Sequence, residues 1–148
     1  MNVVKGRALL GGSFFEEIGG APCLGRVHRC LYDRLFAHPW LKGYFVRSKR
    51  EIVESQQNDF WAGLMGGPNV YGGRSPKDAH HHMFVTAEAF AARHALLGEV
   101  LRDCGVPEPL RKRWLILDSQ FERAIVKRSL AECQGRYRSE EVIVVPRP

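Results

Sequence analysis

Three of the six histidines stand side by side, His80, His81 and His82, in the stretch Lys77 to Thr86 between a glycine-rich loop and a helix start. A neutral imidazole binds a metal through whichever ring nitrogen lacks the proton, while the other nitrogen donates a hydrogen bond that sets the tautomer. Taken alone, the triplet reads as a generic metal-binding run. Gln57 is the second unusual residue: it lies four after Val53 and four before Trp61, and so projects from the apolar face of a predicted helix. A buried amide has four hydrogen-bonding sites and is costly unless they are paired. Gln56, one step round the helix, competes for that position. The third feature is an aromatic corner after Pro39, where Trp40, Leu41, Tyr44 and Phe45 are dense enough to be core and suited to wall a slot for a flat ligand.

The elements that must hold these residues are helical. Ser13 to Glu16 forms a capping box that opens a short helix stopped at Gly19-Gly20. From about Pro22, Val27, Leu31 and Leu35 recur every four residues, with His28 and Tyr32 flanking the stripe. A third helix, about Lys49 to Met65, carries Ile52, Val53, Phe60, Trp61 and Leu64 on one side and ends at Gly66-Gly67-Pro68. Pro76 can start a brief helix through His80. Thr86 caps another that runs from Ala87 to about Cys104, with a stripe of Phe90, His94, Leu97, Leu101 and Cys104. The longest predicted helix, Leu110 to about Ala131, presents Trp114, Leu117, Phe121 and Ile125. Beyond Glu132 helical periodicity stops, and Val142 to Val145 is one short apolar run. Strand signals are almost absent elsewhere, which makes the chain all-α: a lead-in over 1–12, one domain over 13–131 and a tail over 132–148.

Composition narrows the class. The 148 residues suffice for one domain, with 45% hydrophobic and 26% charged residues. No run reaches the roughly 20 apolar residues of a membrane span, and the first ten residues lack the apolar core of a secretory signal, so a cytoplasmic protein without a membrane partner is expected. The four cysteines are expected to be reduced. Cys23 and Cys30 lie about 10 Å apart along one helix, beyond disulfide reach. A net charge of +6 could suit nucleic acid, but the cations are dispersed among acids and read as solvated helix faces. Their densest groups are Arg111 to Arg113 and Lys127-Arg128.

An ordered set of motifs resembles the truncated haemoglobins, shortened globins in which helices form a two-on-two sandwich around haem b. It comprises Phe15-Glu-Glu-Ile-Gly-Gly20, Leu31-Tyr-Asp-Arg-Leu-Phe-Ala-His-Pro39, Gly43-Tyr-Phe45, Phe60-Trp-Ala-Gly-Leu-Met-Gly-Gly-Pro68, Tyr71-Gly-Gly, and Lys77 to Thr86 ahead of Phe90. The set spans roughly residues 13 to 126. The resemblance implies that the iron ligand stands five residues before the Val85-Thr86 pair, at His80. His81 and His82 then point to other sides of the backbone, toward solvent or a haem edge. It further implies that Phe45 stacks on the porphyrin and that Val85 and Phe90 line the pocket. Tyr32 and Gln57 become the distal donors to a bound diatomic ligand, O2 above all, with NO and CO as further ligands. Val53 takes the place of a distal histidine, with Phe60 and Trp61 on the distal wall, and Lys77, Arg74 and Tyr71 stand near the haem propionates.

One position departs from the pattern. Thirteen residues past His80, where relatives keep a tryptophan or a small apolar residue facing the haem, this chain has Arg93 followed by His94. A charge buried there without a partner would be costly. Either the helix is locally rotated or Arg93 reaches a propionate or solvent. The implied function is reversible O2 binding. An enzymatic alternative on the same pocket is NO dioxygenation, which needs an electron donor such as a reductase. A third reading, from another class, is a haem-free helical module whose basic residues Arg111 to Arg113, Lys127, Arg128, Arg136 and Arg138 bind nucleic acid or a protein.

Overall fold

The computed structural model describes residues 12–148; the lead-in over 1–12, apart from Gly12, lies outside the described residues. Helix α1 (Phe14–Glu17) opens as its sequence requires, with the Ser13 hydroxyl accepting from the Glu16 amide at 3.2 Å. The chain then turns through Gly19 and Gly20, whose φ angles of 104° and 69° favour glycine. Helix α2 (Gly20–Ala37) buries Leu24, Val27, Leu31 and Leu35 along one stripe. After Pro39 the aromatic corner forms a short 3₁₀ turn over Leu41–Phe45.

Helix α3 (Arg50–Leu64) leads through the loop to α4 (Pro76–His80), where Ser75 caps the Asp78 amide. Thr86 does the same for Ala89 at the start of α5 (Ala87–Asp103). Helix α6 (Glu108–Ser119) follows Gly105. The pairs α2 with α3 and α5 with α6 pack most extensively, and α2 crosses α5 to join them. Their shared interior holds Val27, Leu97, Val100, Leu101 and Trp114, all essentially inaccessible. The expected helix-only sandwich of two pairs is therefore present, and no strand occurs among the described residues. No helix there is long and apolar enough to cross a membrane.

Two expectations need correction. The long helix expected from Leu110 to Ala131 breaks after Ser119, and α7 (Glu122–Ile125) is a separate turn. At the break, the Ser119 hydroxyl donates to the Ile116 carbonyl and the next amides tighten to 3₁₀ bonds. The kink swings Phe121 against Phe60 and Trp61, with ring centroids at 5.6 and 5.9 Å. The tail, expected to lack organisation apart from one apolar run, instead folds back over the histidine triplet. A 3₁₀ turn forms at Leu130–Glu132, and Ile143 is buried and bridges Met83. Val145 lies so close to Gly43 that a Cβ there would approach it to 2.6 Å, so the corner needs glycine at that point.

Candidate functional site

His80 ends α4 and is partly buried. Its Nδ1 lies 2.7 Å from the Pro76 carbonyl oxygen, which can only accept, so Nδ1 carries the proton and Nε2 keeps a lone pair. Burial lowers its pKa to about 4, against the opposing Pro76 bond and with help from the charges of Lys127 and Arg93. The ring is thus a neutral imidazole at ordinary pH, as a metal ligand must be.

The backbone that presents His80 is held almost residue by residue. The Lys127 ammonium donates to the His80 carbonyl, Gln134 N to His81 O at 2.8 Å, and Ile143 N to His82 O at 2.9 Å. Tyr44 donates its hydroxyl to Phe84 O at 3.1 Å, and the Lys127 amide donates to Val85 O at 2.9 Å. His82 is packed away from solvent, with its Nδ1 unpartnered, and burial lowers its pKa to about 4. The open alternative of solvent for this ring is closed by the tail. Among the described residues no three His, Cys, Asp or Glu side chains gather as an ion site, so the triplet does not act as a cluster.

His80 opens onto a mostly apolar cleft. Leu35, Leu41, Tyr44, Phe45, Met83, Val85, Ala89, Phe90, Arg93 and Ile125 complete its lining. Phe45, His80, Val85 and Phe90, assigned to the pocket by the resemblance, therefore meet there, with Leu41 and Tyr44 of the aromatic corner and Arg93. Tyr32 stands behind Phe45, with ring centroids 6.0 Å apart and nearly perpendicular. Tyr32 is itself buried and lies outside the residues that line the cleft. Burial raises its pKa, and the phenol stays protonated.

Gln57 is partly buried on α3 while Gln56 is exposed, which resolves that choice of face. Next to Gln57, Asn58 accepts from His28 Nδ1 at 2.6 Å, pinning α3 to α2 one turn before Tyr32. Val53 is partly buried against the core. Phe60 and Trp61 lie outside the cleft lining in an aromatic cluster with Tyr71, Phe121 and Trp114. Tyr71 donates its hydroxyl to the Arg74 carbonyl, and Arg74 and Lys77 are exposed.

Arg93 neither rotates away nor is left solely to solvent. It lines the cleft and places Nη2 2.6 Å from Asp118 Oδ2. The same oxygen accepts from His94 Nδ1 at 2.7 Å. Burial alone would raise the Asp118 carboxyl, but Arg93 and His94 hold it below the usual range. Sequence reasoning missed Asp118, although the signal that found Gln57 was present: Asp118 is four residues past Trp114, on the apolar face of α6. Tyr44 and Lys127 were missed as supports because both act on backbone carbonyls, which leave no side-chain pattern.

Comparison with known proteins places this architecture. The bacterial-like globin family profile matches residues 13–126. A group 1 truncated haemoglobin of Tetrahymena thermophila is 31% identical over 96 residues, covering 65% of this chain and 79% of that protein. One from Mycolicibacterium paratuberculosis is 30% identical over 95 residues, covering 64% and 70%. The crystal structure of the Tetrahymena pyriformis truncated haemoglobin in its Fe(III) form superposes with a TM-score of 0.74 at 23% identity, covering 79% of this chain and all of that one. The chain belongs to the bacterial-like globins and has the two-on-two fold of the truncated haemoglobins.

Proposed function

We propose that the protein binds a diatomic gas, foremost O2, at a haem b held by His80. The observation that carries this reading is the His80 ring, neutral and set in one tautomer by Pro76, with Nε2 free beside an apolar cleft. Haem is the cofactor of the globin family to which the chain belongs. The residues fit that group: one imidazole lone pair, aromatic and aliphatic walls for a flat macrocycle, and exposed cations nearby for its carboxylates. When bound, haem would supply an iron centre, held by His80, that coordinates a small ligand reversibly.

The chain's own side chains do the rest. Phe45 and Phe90 wall the macrocycle, with Val85 beside His80. Tyr32 and Gln57 are the donors to a bound ligand, and the phenol can give its proton to a hydrogen bond without losing it because burial keeps the group neutral. The His28 to Asn58 bond sets α2 and α3 at the depth where these donors stand. Val53 closes the distal wall, and Phe60 and Trp61 back it from the aromatic cluster. Arg74 and Lys77 attract the propionates, with Tyr71 fixing the loop through the Arg74 carbonyl.

Purified protein titrated with haemin should give an intense Soret band at one haem per chain. His80→Gly should change the ferrous spectrum, and added imidazole should restore it. A chain that takes up no haemin would refute haem binding, and an unchanged ferrous spectrum in His80→Gly would show that another group is the ligand.

A further inference from the structure

We infer that Arg93 makes the cleft selective for small anionic ligands, such as azide or fluoride, over neutral ones. This inference rests on the haem reading above. A guanidinium has five N–H donors in a rigid fork. Asp118 engages Arg93 through Nη2, which leaves donors on Nη1 and Nε for the cleft that Arg93 lines. The head group lies 5.1 Å over the Phe90 ring, so Phe90 fixes one face of the fork while Asp118 fixes its end. Asp118 is itself 2% exposed and shares its Oδ2 with His94, whose ring stacks parallel to Phe90 at 6.4 Å. Arg93 is therefore held from both sides rather than swinging in solvent.

The placement relative to the other site residues supports the same assignment. Arg93 lines the same cleft as His80, together with Phe45, Val85 and Phe90. A fixed donor set beside a mainly apolar wall favours an anion more than the same set does in water, because fewer polar groups compete for the N–H groups. A neutral ligand gains only its ordinary contacts. Asp118 leaves the pair formally neutral, but its carboxylate lies on the α6 side and takes its hydrogen bonds from Arg93 and His94. The anion would meet the donors and not the carboxylate.

The test uses the full-length ferric protein loaded with haemin, with azide and fluoride as anionic probes and imidazole as the neutral one, read by absorption. Haemin uptake by the wild type, measured first, tests the reading on which this rests; without it both fail. In loaded protein, Arg93→Leu should weaken azide and fluoride binding at least tenfold and leave imidazole within about twofold. Because that variant strands a buried carboxylate, the double variant Arg93→Leu with Asp118→Leu is measured alongside and should show the same loss. Arg93→Lys should recover part of the anion affinity. Normal haemin uptake with unchanged azide and fluoride affinity in both Leu variants would overturn the inference alone. An equal loss for all three probes would also overturn it, since it would indicate a structural role.

Discussion

At the scale of single residues, the site depends on which polar groups have partners and which do not. His80 has its proton engaged by Pro76 and its lone pair free; Tyr32 is buried, with no hydrogen bond from its hydroxyl among the described residues; Arg93 has one end engaged by Asp118 and lines the cleft. Each is half satisfied, and a half-satisfied polar group in a poorly solvated place is where a ligand gains most. If Tyr32 donates to bound O2, Tyr32→Phe removes one hydrogen bond and little else, since the ring packing with Phe36 and Phe45 survives. A bond worth about 1 to 1.5 kcal/mol corresponds to roughly a tenfold faster O2 dissociation. Flash photolysis and stopped-flow mixing would measure it, and a rate within a factor of two of wild type would remove Tyr32 from the donor role. The residue types at this scale were legible in the sequence. His80, Phe45, Val85 and Phe90 could be named because their order along the chain matches a family pattern. What Arg93 does could not be named, because its partner Asp118 is 25 residues away on another helix and only the fold brings them together.

At the scale of elements, the boundaries that sequence reads well are those set by local chemistry. Ser13, Ser75 and Thr86 cap as their side chains dictate, and Gly19 and Gly105 stop or turn helices at positive φ. The break of α6 at Ser119 is not local in that sense. The apolar positions Trp114, Leu117, Phe121 and Ile125 continue the helical period through it, and the turn is set by Phe121 docking on α3. The tail was similarly unreadable, since its bonds to the triplet run between backbone atoms or end on them. Just ahead of it stands Lys127, 6% exposed and donating to the His80 carbonyl, with no carboxylate bonded to its ammonium among the described residues; burial lowers its pKa, against the weaker opposing effects of Cys133 and Glu132. Lys127 directly follows the stretch matched by the family, so the support it gives His80 lies outside that common region. Lys127→Met keeps the apolar stem and removes the ammonium. The variant should fold and take up haemin but release it to an acceptor globin roughly tenfold faster, as expected for losing a hydrogen bond from a charged donor. Release at the wild-type rate would mean that the tail covers α4 without positioning it.

At the scale of the whole molecule, the basic surface is less available than the net charge of +6 suggests. Arg111 and Lys112 pair with Glu108, Arg113 pairs with Glu17 and covers the Phe14 ring, and Arg136 is tied to Glu140. The cations expected to serve a nucleic-acid surface mostly hold the chain to itself. The same packing makes the fold sensitive to acid through its buried histidines. His28 is 2% exposed, and burial lowers its pKa to about 4 from the ordinary 6.5, against the opposing bond to Asn58. Above pH 6.5 the ring is neutral in both folded and unfolded chains and adds no pH dependence. As pH falls below 6.5 the unfolded chain binds a proton that the folded chain refuses, so stability falls by up to about 1.4 kcal/mol per pH unit until the folded ring titrates near 4. His80 and His82 act in the same direction, so the wild type should lose stability steeply between neutral pH and pH 5. His28→Gln keeps a donor for Asn58 without a titrating ring. Urea unfolding at pH 7.5, 6 and 5, at matched haem content, should give the variant a slope shallower by about one proton. It should be somewhat less stable than wild type at pH 7.5, where the imidazole packs best beside Tyr32, and should lose that disadvantage on acidification. Identical slopes would mean that His28 takes up its proton in the folded chain as readily as in the unfolded one, and the bond that fixes α2 to α3 beside the candidate distal donors would then be weaker than its 2.6 Å geometry implies.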